Sequence, residues 1–280
     1  MTGAVLALSH TAGARWGQAR SDAPAGAPFH GVGCAANACL AVGGGDSGGL
    51  IYRVTSATPR FVWKAIDEPA DGPLVAVGCA GTSWCLGVAN GTSGLVVVTS
   101  KDAGLHWSDG GALPEGTSTV TKVSCSSTKL CSLIGTTSTG PLVVITNDAG
   151  TTFTTTEIPK KVTTVLGASC RSDKVCWVIA RKDGNGTPLA LKAARLNAPF
   201  FKVSLPTGLA VANDVSCVQT TCVLVGADAE GKGAAIAEVG RTKPTTLKLS
   251  FAPTGLRAVS CATTMSCSAA STASLVALVP

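Results

Sequence analysis

Residues 122–153 read KVSCSSTKLCSLIGTTSTGPLVVITNDAGTTF, and this stretch contains the plan of the whole chain. A short apolar segment ends at Cys125, a polar turn follows, and a second apolar segment starts at Cys131. A Ser/Thr/Gly turn leads to a third apolar segment, and a fourth begins at Phe153 and ends before Pro159. Apolar runs of strand length between turn residues predict four short antiparallel strands.

The same plan recurs along the chain, and its most regular markers are the twelve cysteines. Successive pairs begin 45, 46, 45, 47 and 44 residues apart. The six pairs are Cys34/Cys39, Cys79/Cys85, Cys125/Cys131, Cys170/Cys176, Cys217/Cys222 and Cys261/Cys267. A fixed period of this size indicates a repeat protein, and four strands per repeat describe one blade of a β-propeller. No segment shows sustained helical periodicity, so a helical solenoid fits poorly.

The repeats predict a single all-β domain over residues 1–280, a six-bladed β-propeller of four-stranded blades. The predicted blades are 31–75, 76–120, 121–165, 166–212, 213–256, and 257–280 completed by the N-terminus. Residues 1–30 are expected to close the ring, because GAVLALSHTAGARW aligns with GLVVVTSKDAGLHW of a complete repeat. Residues 274–280 (SLVALVP) also resemble a third strand, which leaves a seven-bladed ring, or a fragment of one, as the alternative.

The cysteine pairs predict one hairpin disulfide per blade. Cysteines that close one strand and open its partner face each other at about 4.5 Å between Cα atoms, which a disulfide accepts. There are two alternatives to disulfides. One is a metal site, but four or five residues between the cysteines are not the usual spacing of metal ligands; the other is that the cysteines are free thiols. Six disulfides indicate an extracellular, periplasmic or cell-surface location. The N-terminus lacks the features of a leader, so we expect a mature or trimmed chain.

Composition narrows the classes of function. Apolar residues form 45% of the chain, charged residues 14%, and the net charge is +6. The 22 cationic residues are scattered without stacking aromatics between them, which argues against nucleic-acid binding. No apolar run is long enough for a membrane span. We expect a monomer that needs no metal and no cofactor.

Two segments carry a further recurrent pattern, Ser/Thr-x-Asp-x-Gly-x-x-aromatic. Its residues are Asp102, Gly104, Trp107, Asp148, Gly150 and Phe153. The pattern resembles the Asp-box (BNR) repeats of sialidase-like propellers, including the photosystem II assembly-factor group. The resemblance implies that the Asp binds backbone N–H groups, the Gly adopts an unusual dihedral and the aromatic packs between blades. It also implies a structural role, on the face opposite an active site.

An enzyme of the sialidase type would need an arginine triad, a Tyr nucleophile paired with Glu, and an acid/base Asp. The sequence has one tyrosine, Tyr52, on a predicted third strand, and its acidic residues do not cluster. The segment GGDSGGL at 44–50 resembles a serine-protease motif but lacks the chain upstream that such an enzyme requires. Ser47 is therefore interpreted as part of a hairpin turn. We expect no catalysis, with a sialidase-like glycoside hydrolase as the alternative.

Binding is expected on the face formed by blade-to-blade connections and by turns between second and third strands, because these loops vary most. The candidate residues there are Lys122, Lys160, Lys161, Asp214 and Arg257. The alternative for these residues is that they are ordinary solvated surface charges. The sequence thus predicts a non-catalytic exported module that binds a protein or glycan, or a piece of a larger extracellular sensor.

Overall fold

Each cysteine-pair repeat forms one antiparallel sheet in the computed structural model of the chain. The structure describes residues 7–8, 17–18, 20–21, 29–36, 38–45, 48–55, 62–69, 72–182, 187–196, 198–205, 208–240, 243–247, 255–263, 266–270 and 275–278. Ser47 and its neighbour Asp46 lie outside the described residues. Every regular element in the described part is a strand, as the absence of helical periodicity predicts.

The described residues form two units. Unit 1 comprises those within Met1–Leu8, Gly17–Thr139 and Val144–Thr154, and unit 2 those within Ser9–Trp16, Gly140–Val143 and Thr155–Pro280. Sheets 1 to 3 lie wholly or mainly in unit 1, and sheets 4 to 6 in unit 2. The expectation of a single domain stays a prediction.

Unit 1 begins with three two-residue strands, β1 (Ala7–Leu8), β2 (Gly17–Gln18) and β3 (Arg20–Ser21). Sheet 1 contains β4 (Phe29–Cys34), β5 (Ala38–Gly45), β6 (Gly48–Thr55) and β7 (Val62–Ile66). Sheet 2 contains β8 (Leu74–Ala80), β9 (Trp84–Gly91), β10 (Gly94–Ser100) and β11 (Ser108–Asp109). Sheet 3 contains β12 (Thr117–Cys125), β13 (Cys131–Thr137), β14 (Gly140–Thr146) and β15 (Thr154–Thr156).

Unit 2 continues the series. Sheet 4 contains β16 (Val162–Cys170), β17 (Cys176–Lys182), β18 (Thr187–Ala193) and β19 (Phe201–Val203). Sheet 5 contains β20 (Val211–Val218), β21 (Thr221–Ala227), β22 (Gly233–Val239) and β23 (Thr245–Thr246). Sheet 6 contains β24 (Ala258–Thr263), β25 (Ser266–Ala270) and β26 (Leu275–Leu278).

The architecture is that of a β-propeller with four-stranded antiparallel blades, but the described residues form five such blades, and the prediction of six is wrong. Sheets 1 to 5 each run through four consecutive strands, while sheet 6 has three in the described residues. The third strand of sheet 6 is β26, which lies in the segment SLVALVP that left the predicted number of blades open.

None of the described residues of the N-terminal segment pairs with sheet 6. Its strand β3 pairs in parallel with β7, the fourth strand of sheet 1, and β1 pairs with β2. Residues 29–30, also assigned to the closing segment, belong to β4. An edge strand offers free N–H and C=O groups to any extended segment that reaches it, so alignment of sequence does not by itself select the partner.

All six predicted disulfides are confirmed. In every sheet the two cysteines are directly opposed in the first hairpin, with Cα atoms 4.0 Å apart. In sheet 4, for example, Cys170 faces Cys176, and Val162 faces Lys182 at the other end of the same hairpin. We call these the cysteine end and the connection end, and the same terms apply to each sheet. The six disulfides indicate an oxidising, extracellular-type environment.

The cysteine pairs of sheets 2, 5 and 6 depart from the predicted plan in one respect. They form the expected disulfides, but the prediction that one cysteine closes a strand and the other opens the next is wrong there, because each ladder has one further pair beyond the disulfide. These pairs are Ala80 with Trp84, Val218 with Thr221, and Thr263 with Ser266. Cys267 faces Leu278 of β26 and is 1% exposed in a core cluster shared with sheet 5. Cys267 is therefore a core residue of unit 2 as well as a disulfide partner.

Within each unit the first strands of neighbouring sheets pack against one another, which explains the small residue before the first cysteine. In sheets 1 and 2 this residue is glycine: a Cβ on Gly33 would lie 3.1 Å from the Cα of Gly78. In unit 2 this residue is serine, and two of these serines form a hydrogen bond to the first strand of the next sheet. The hydroxyl of Ser169 accepts the N–H of Cys217, and that of Ser216 accepts the N–H of Cys261, both at 3.0 Å.

Candidate functional site

The Ser-x-Asp-x-Gly turn of sheet 2 links β10 to β11. The carboxylate of Asp102 accepts the backbone N–H of His106 at 2.9 Å, and its other oxygen lies 2.6 Å from His106 Nδ1. Ser100 donates its hydroxyl to Asp102 at 2.8 Å and accepts the N–H of Gly104 at 2.8 Å. Gly104 has φ +86°, which glycine adopts without steric cost. The turn is therefore closed by its own side chains.

The corresponding turn of sheet 3 repeats this arrangement around Asp148. Its Oδ1 accepts the backbone N–H groups of Thr151 and Thr152 at 3.1 and 2.9 Å. Its Oδ2 accepts the hydroxyl of Thr152 at 2.5 Å, while Thr146 donates to Oδ1 at 2.8 Å. The geometry has the features that the Asp-box resemblance implies. The assignment of the turns to that family stays a prediction.

Both carboxylates are stabilised in the charged form. At Asp102 burial acts to raise the pKa, but hydrogen bonds from the backbone and ring of His106 and from Ser100 outweigh it and lower the pKa to about 2. At Asp148 the hydroxyl and backbone N–H of Thr152 lead the bonds that lower the pKa to about 2. The two Asp side chains are occupied in holding turns.

The aromatic residues that follow these turns lie against the sheets. Trp107 is half-buried and packs on a core cluster of sheets 1 and 2 that includes Leu40 and Leu74. Phe153 is likewise half-buried, with its ring 3.8 Å from the position of a Cβ on Gly150. A Cβ on Gly150 would also lie 2.9 Å from Leu86, so this glycine is required for close packing as well as for its φ of +84°.

Unit 2 has a different arrangement at the cysteine end, a buried ionic cluster that the sequence did not predict. Arg171 is 1% exposed, and it donates to the carboxylate of Asp173 at 2.6 Å, to Glu238 at 3.2 Å and to the carbonyl of Gly240. Lys192 donates to the same oxygen of Glu238 at 2.7 Å and lies over the ring of Trp177.

The ionic cluster links sheets 4 and 5. Glu238 faces Cys222 across the β21–β22 ladder, as Ser100 faces Cys85 in sheet 2. A buried carboxylate thus stands at the position that the turn serine occupies in sheet 2. Its partners are cations of the preceding sheet, which lie more than 40 residues away along the chain. No local pattern signals such a pairing.

Asp214, one of the predicted binding residues, is 2% exposed within unit 2. Its Oδ1 accepts the N–H of Val215 at 2.9 Å, and its Oδ2 accepts the N–H of Val259, on the first strand of sheet 6, at 3.0 Å. A Cβ on Gly167 of sheet 4 would lie 2.5 Å from Oδ1. The carboxylate therefore lies between three sheets and is turned away from solvent.

The other predicted cations of unit 2 are exposed at the connection end. Lys160 and Lys161 are the central residues of a turn closed by the Val162 N–H to Pro159 C=O bond at 2.9 Å. Arg257 is exposed directly after the fully buried Leu256, whose N–H bonds to the carbonyl of Gly226 at 2.8 Å. Lys122 lies in unit 1, half-buried beside a bulge of β12.

The structure adds three residues to the connection end of unit 2. Arg181 and Lys182 end β17, where Lys182 faces Val162 and so lies next to the Lys160–Lys161 turn. Asn213 accepts from Arg181 at 3.4 Å and donates to the carbonyl of Leu256 at 2.7 Å. The variable turn after Lys182 was visible in the sequence, but its position beside Lys161 follows only from the hairpin register.

The described residues contain no group of three or more His, Cys, Asp or Glu side chains placed to hold a metal ion. In the same part of the chain, no helix has the length and apolar character needed to cross a membrane. Tyr52, the residue that a sialidase-like mechanism would need as nucleophile, is 3% exposed on β6.

No protein-family model matches the sequence, and no curated protein matches it. Solved structures do match. The chain resembles the GH74 enzyme of Niastella koreensis (TM-score 0.56, 12% identity), covering 88% of this chain and 44% of that one. It also resembles YCF48 bound to a D1 peptide (TM-score 0.55, 10% identity, 90% and 79%) and a putative TolB from Agrobacterium tumefaciens (TM-score 0.55, 11% identity, 83% and 84%).

The chain spans less than half the length of the GH74 enzyme. The similar structures thus include an enzyme and a peptide-bound protein, and at identities of 10 to 12% they establish the fold alone. That fold is the β-propeller.

Proposed function

We propose that this protein is a non-catalytic, exported β-propeller that binds a protein or glycan ligand at the connection ends of its sheets. The observation that carries the proposal is the contrast between the two ends. The cysteine end repeats the same disulfide-closed hairpin in all six sheets. The connection end of unit 2 instead has a different set of side chains on each sheet, and regular scaffolds carry their ligand contacts on such variable loops.

Two further observations support binding without catalysis. Tyr52 packs in the interior of unit 1, where its phenol is out of reach of a ligand. Asp214, a carboxylate near the connection end, accepts backbone N–H groups from two sheets. The similarity to a YCF48 structure with a bound peptide is consistent with a protein ligand.

The alternative is a sialidase-like glycoside hydrolase. The similarity to a GH74 enzyme is consistent with a glycoside hydrolase. A glycoside hydrolase of the ordinary two-carboxylate kind would need a pair of Asp or Glu side chains on either side of the bond that is cut. The six disulfides support export, and we propose an extracellular, periplasmic or cell-surface location.

One preparation of the oxidised protein tests both candidates. It is applied to glycan and extracellular-protein arrays, and it is also incubated with fluorogenic sialosides and a panel of β-glucans. The proposal predicts saturable binding to an arrayed ligand and no release of fluorophore or reducing sugar. Turnover that rises in proportion to protein concentration would establish the hydrolase instead. Light scattering of the same sample tests the expected monomer against the chain mass of 27.8 kDa.

A further inference from the structure

We propose that the connection end of unit 2 binds an acidic, carboxylate-rich segment of a partner protein. The inference rests on the proposed function, because it names the ligand class and the residues for that end of the propeller. It starts from the register of sheet 4. There Val162 faces Lys182 and Thr164 faces Arg181, so the hairpin places Arg181 and Lys182 at the same end as the exposed Lys160–Lys161 turn.

A chain of hydrogen bonds extends this cationic region over the neighbouring sheets. Arg181 bonds to Asn213 at the start of sheet 5, and Asn213 bonds to the carbonyl of Leu256 at the start of sheet 6. Arg257 follows immediately and is exposed. The two hydrogen bonds of Asn213, in sheet 5, thus connect the cations of sheet 4 with the segment that carries Arg257 at the start of sheet 6.

The described acidic groups of this end are fewer than its described cations. Asp214 is buried and accepts two backbone N–H groups. Asp228 closes its own turn by accepting the N–H groups of Glu230 and Lys232 at 3.1 and 2.8 Å. Glu157 and Glu230 are the exposed carboxylates among the described residues here. Together with the half-buried Asp228 they are outnumbered by the described cations that are exposed or half-buried, which are Lys160, Lys161, Arg181, Lys182, Lys232 and Arg257.

Unit 1 provides an internal comparison. The connections before its second and third sheets carry Asp67, Glu68 and Glu115, and Lys122 is half-buried in β12. The excess of positive charge at the connection end is therefore a feature of unit 2 and is not common to all repeats. A ligand with several carboxylates gains favourable charge interactions only where cations are grouped in this way.

The chemistry of the cations favours carboxylates of a protein over a neutral sugar. A guanidinium group such as that of Arg181 has a planar set of donors that matches a carboxylate, and lysines act as point charges beside it. Flat aromatic surfaces suit the apolar faces of sugar rings. Of the aromatic side chains described in unit 2, Trp177 and Phe200 are buried, and Phe201 pairs with Lys192 toward the cysteine end.

The test measures binding of a synthetic octa-glutamate peptide to the oxidised full chain by biolayer interferometry, in low and moderate salt. Wild type is compared with Lys160→Glu/Lys161→Glu and with Arg257→Glu. The matched control is Lys101→Glu/Lys129→Glu, which changes the net charge equally at exposed positions of unit 1. We expect the 160/161 pair to weaken binding about tenfold, Arg257→Glu by severalfold and the control by less than twofold. Wild-type binding should weaken as salt rises.

Several results would overturn the inference. Equal losses for the 160/161 pair and the 101/129 control would mean that only net charge matters. Tighter binding of polygalacturonate or heparin through the same residues would reassign the end to an anionic glycan. If the arrays reveal a ligand but octa-glutamate does not bind, the inference fails and the proposed function stands. If nothing binds in either experiment, both fail. Thermal melts of each variant establish that the protein is folded.

Discussion

Replacing Asp214 by asparagine tests whether the carboxylate holds sheets 5 and 6 together. The side chain is 2% exposed and accepts the N–H of Val215 at 2.9 Å and of Val259 at 3.0 Å. Asparagine keeps the size but turns one acceptor into an NH2 donor, so one buried N–H faces another donor. A hydrogen bond to a charged group contributes about 1.5–3 kcal/mol, and an unsatisfied buried donor costs about 1–3 kcal/mol. Because these terms overlap, we expect a loss of about 3 kcal/mol in total.

Urea unfolding followed by tryptophan fluorescence measures this loss. Ser216→Ala is the matched control, because it removes a neutral bond at 3.0 Å between the same two strands, to Cys261. The control should cost about 1 kcal/mol. A change below about 0.5 kcal/mol for Asp214→Asn, within the range of ordinary surface substitutions, would refute the reasoning. Loss of ligand binding in the folded variant would return Asp214 to the binding role that the sequence suggested.

Three further predictions concern the cysteine end. Asp102 and Asp148, with pKa values of about 2 in the folded protein against the ordinary 3.8, contribute stability above about pH 4 that is lost as the pH falls through 2. Above pH 4 an Asp102→Asn/Asp148→Asn variant should be less stable than wild type by about 1 kcal/mol per turn, and the difference between their melting temperatures should shrink below pH 4. Glu238→Gln should cost about 3 kcal/mol in urea unfolding, because it removes the buried one of the two carboxylates that pair with Arg171 and leaves only Asp173. Adding Arg171→Met should recover part of the loss; no recovery would mean that the two residues are not coupled. The Cys34–Cys39 disulfide, whose Cys34 is exposed, should be the first to be alkylated under graded reduction, and labelling of a buried pair before it would contradict this expectation.

The sequence determined the local structure of this protein. The two cysteines of a repeat are separated by five or six positions, so their hairpin forms from neighbouring residues whatever the rest of the chain does. The same holds for the Asp102 and Asp148 turns, which are closed within four residues. Strands, disulfides and the β-propeller class could therefore be predicted from alternating apolar segments and turn residues.

Tertiary structure decided everything that depends on which sheet lies next to which. The pairing of β3 with β7, the Asp214–Val259 hydrogen bond and the Arg171–Glu238 contact join residues about 40 or more positions apart. No local pattern specifies such contacts, because any edge strand or buried charge accepts whichever partner the packing brings to it. For the same reason Lys160, Lys161 and Arg257 were recognisable as charges, but only the hairpin register and the Asn213 bridge place Arg181 and Lys182 beside them.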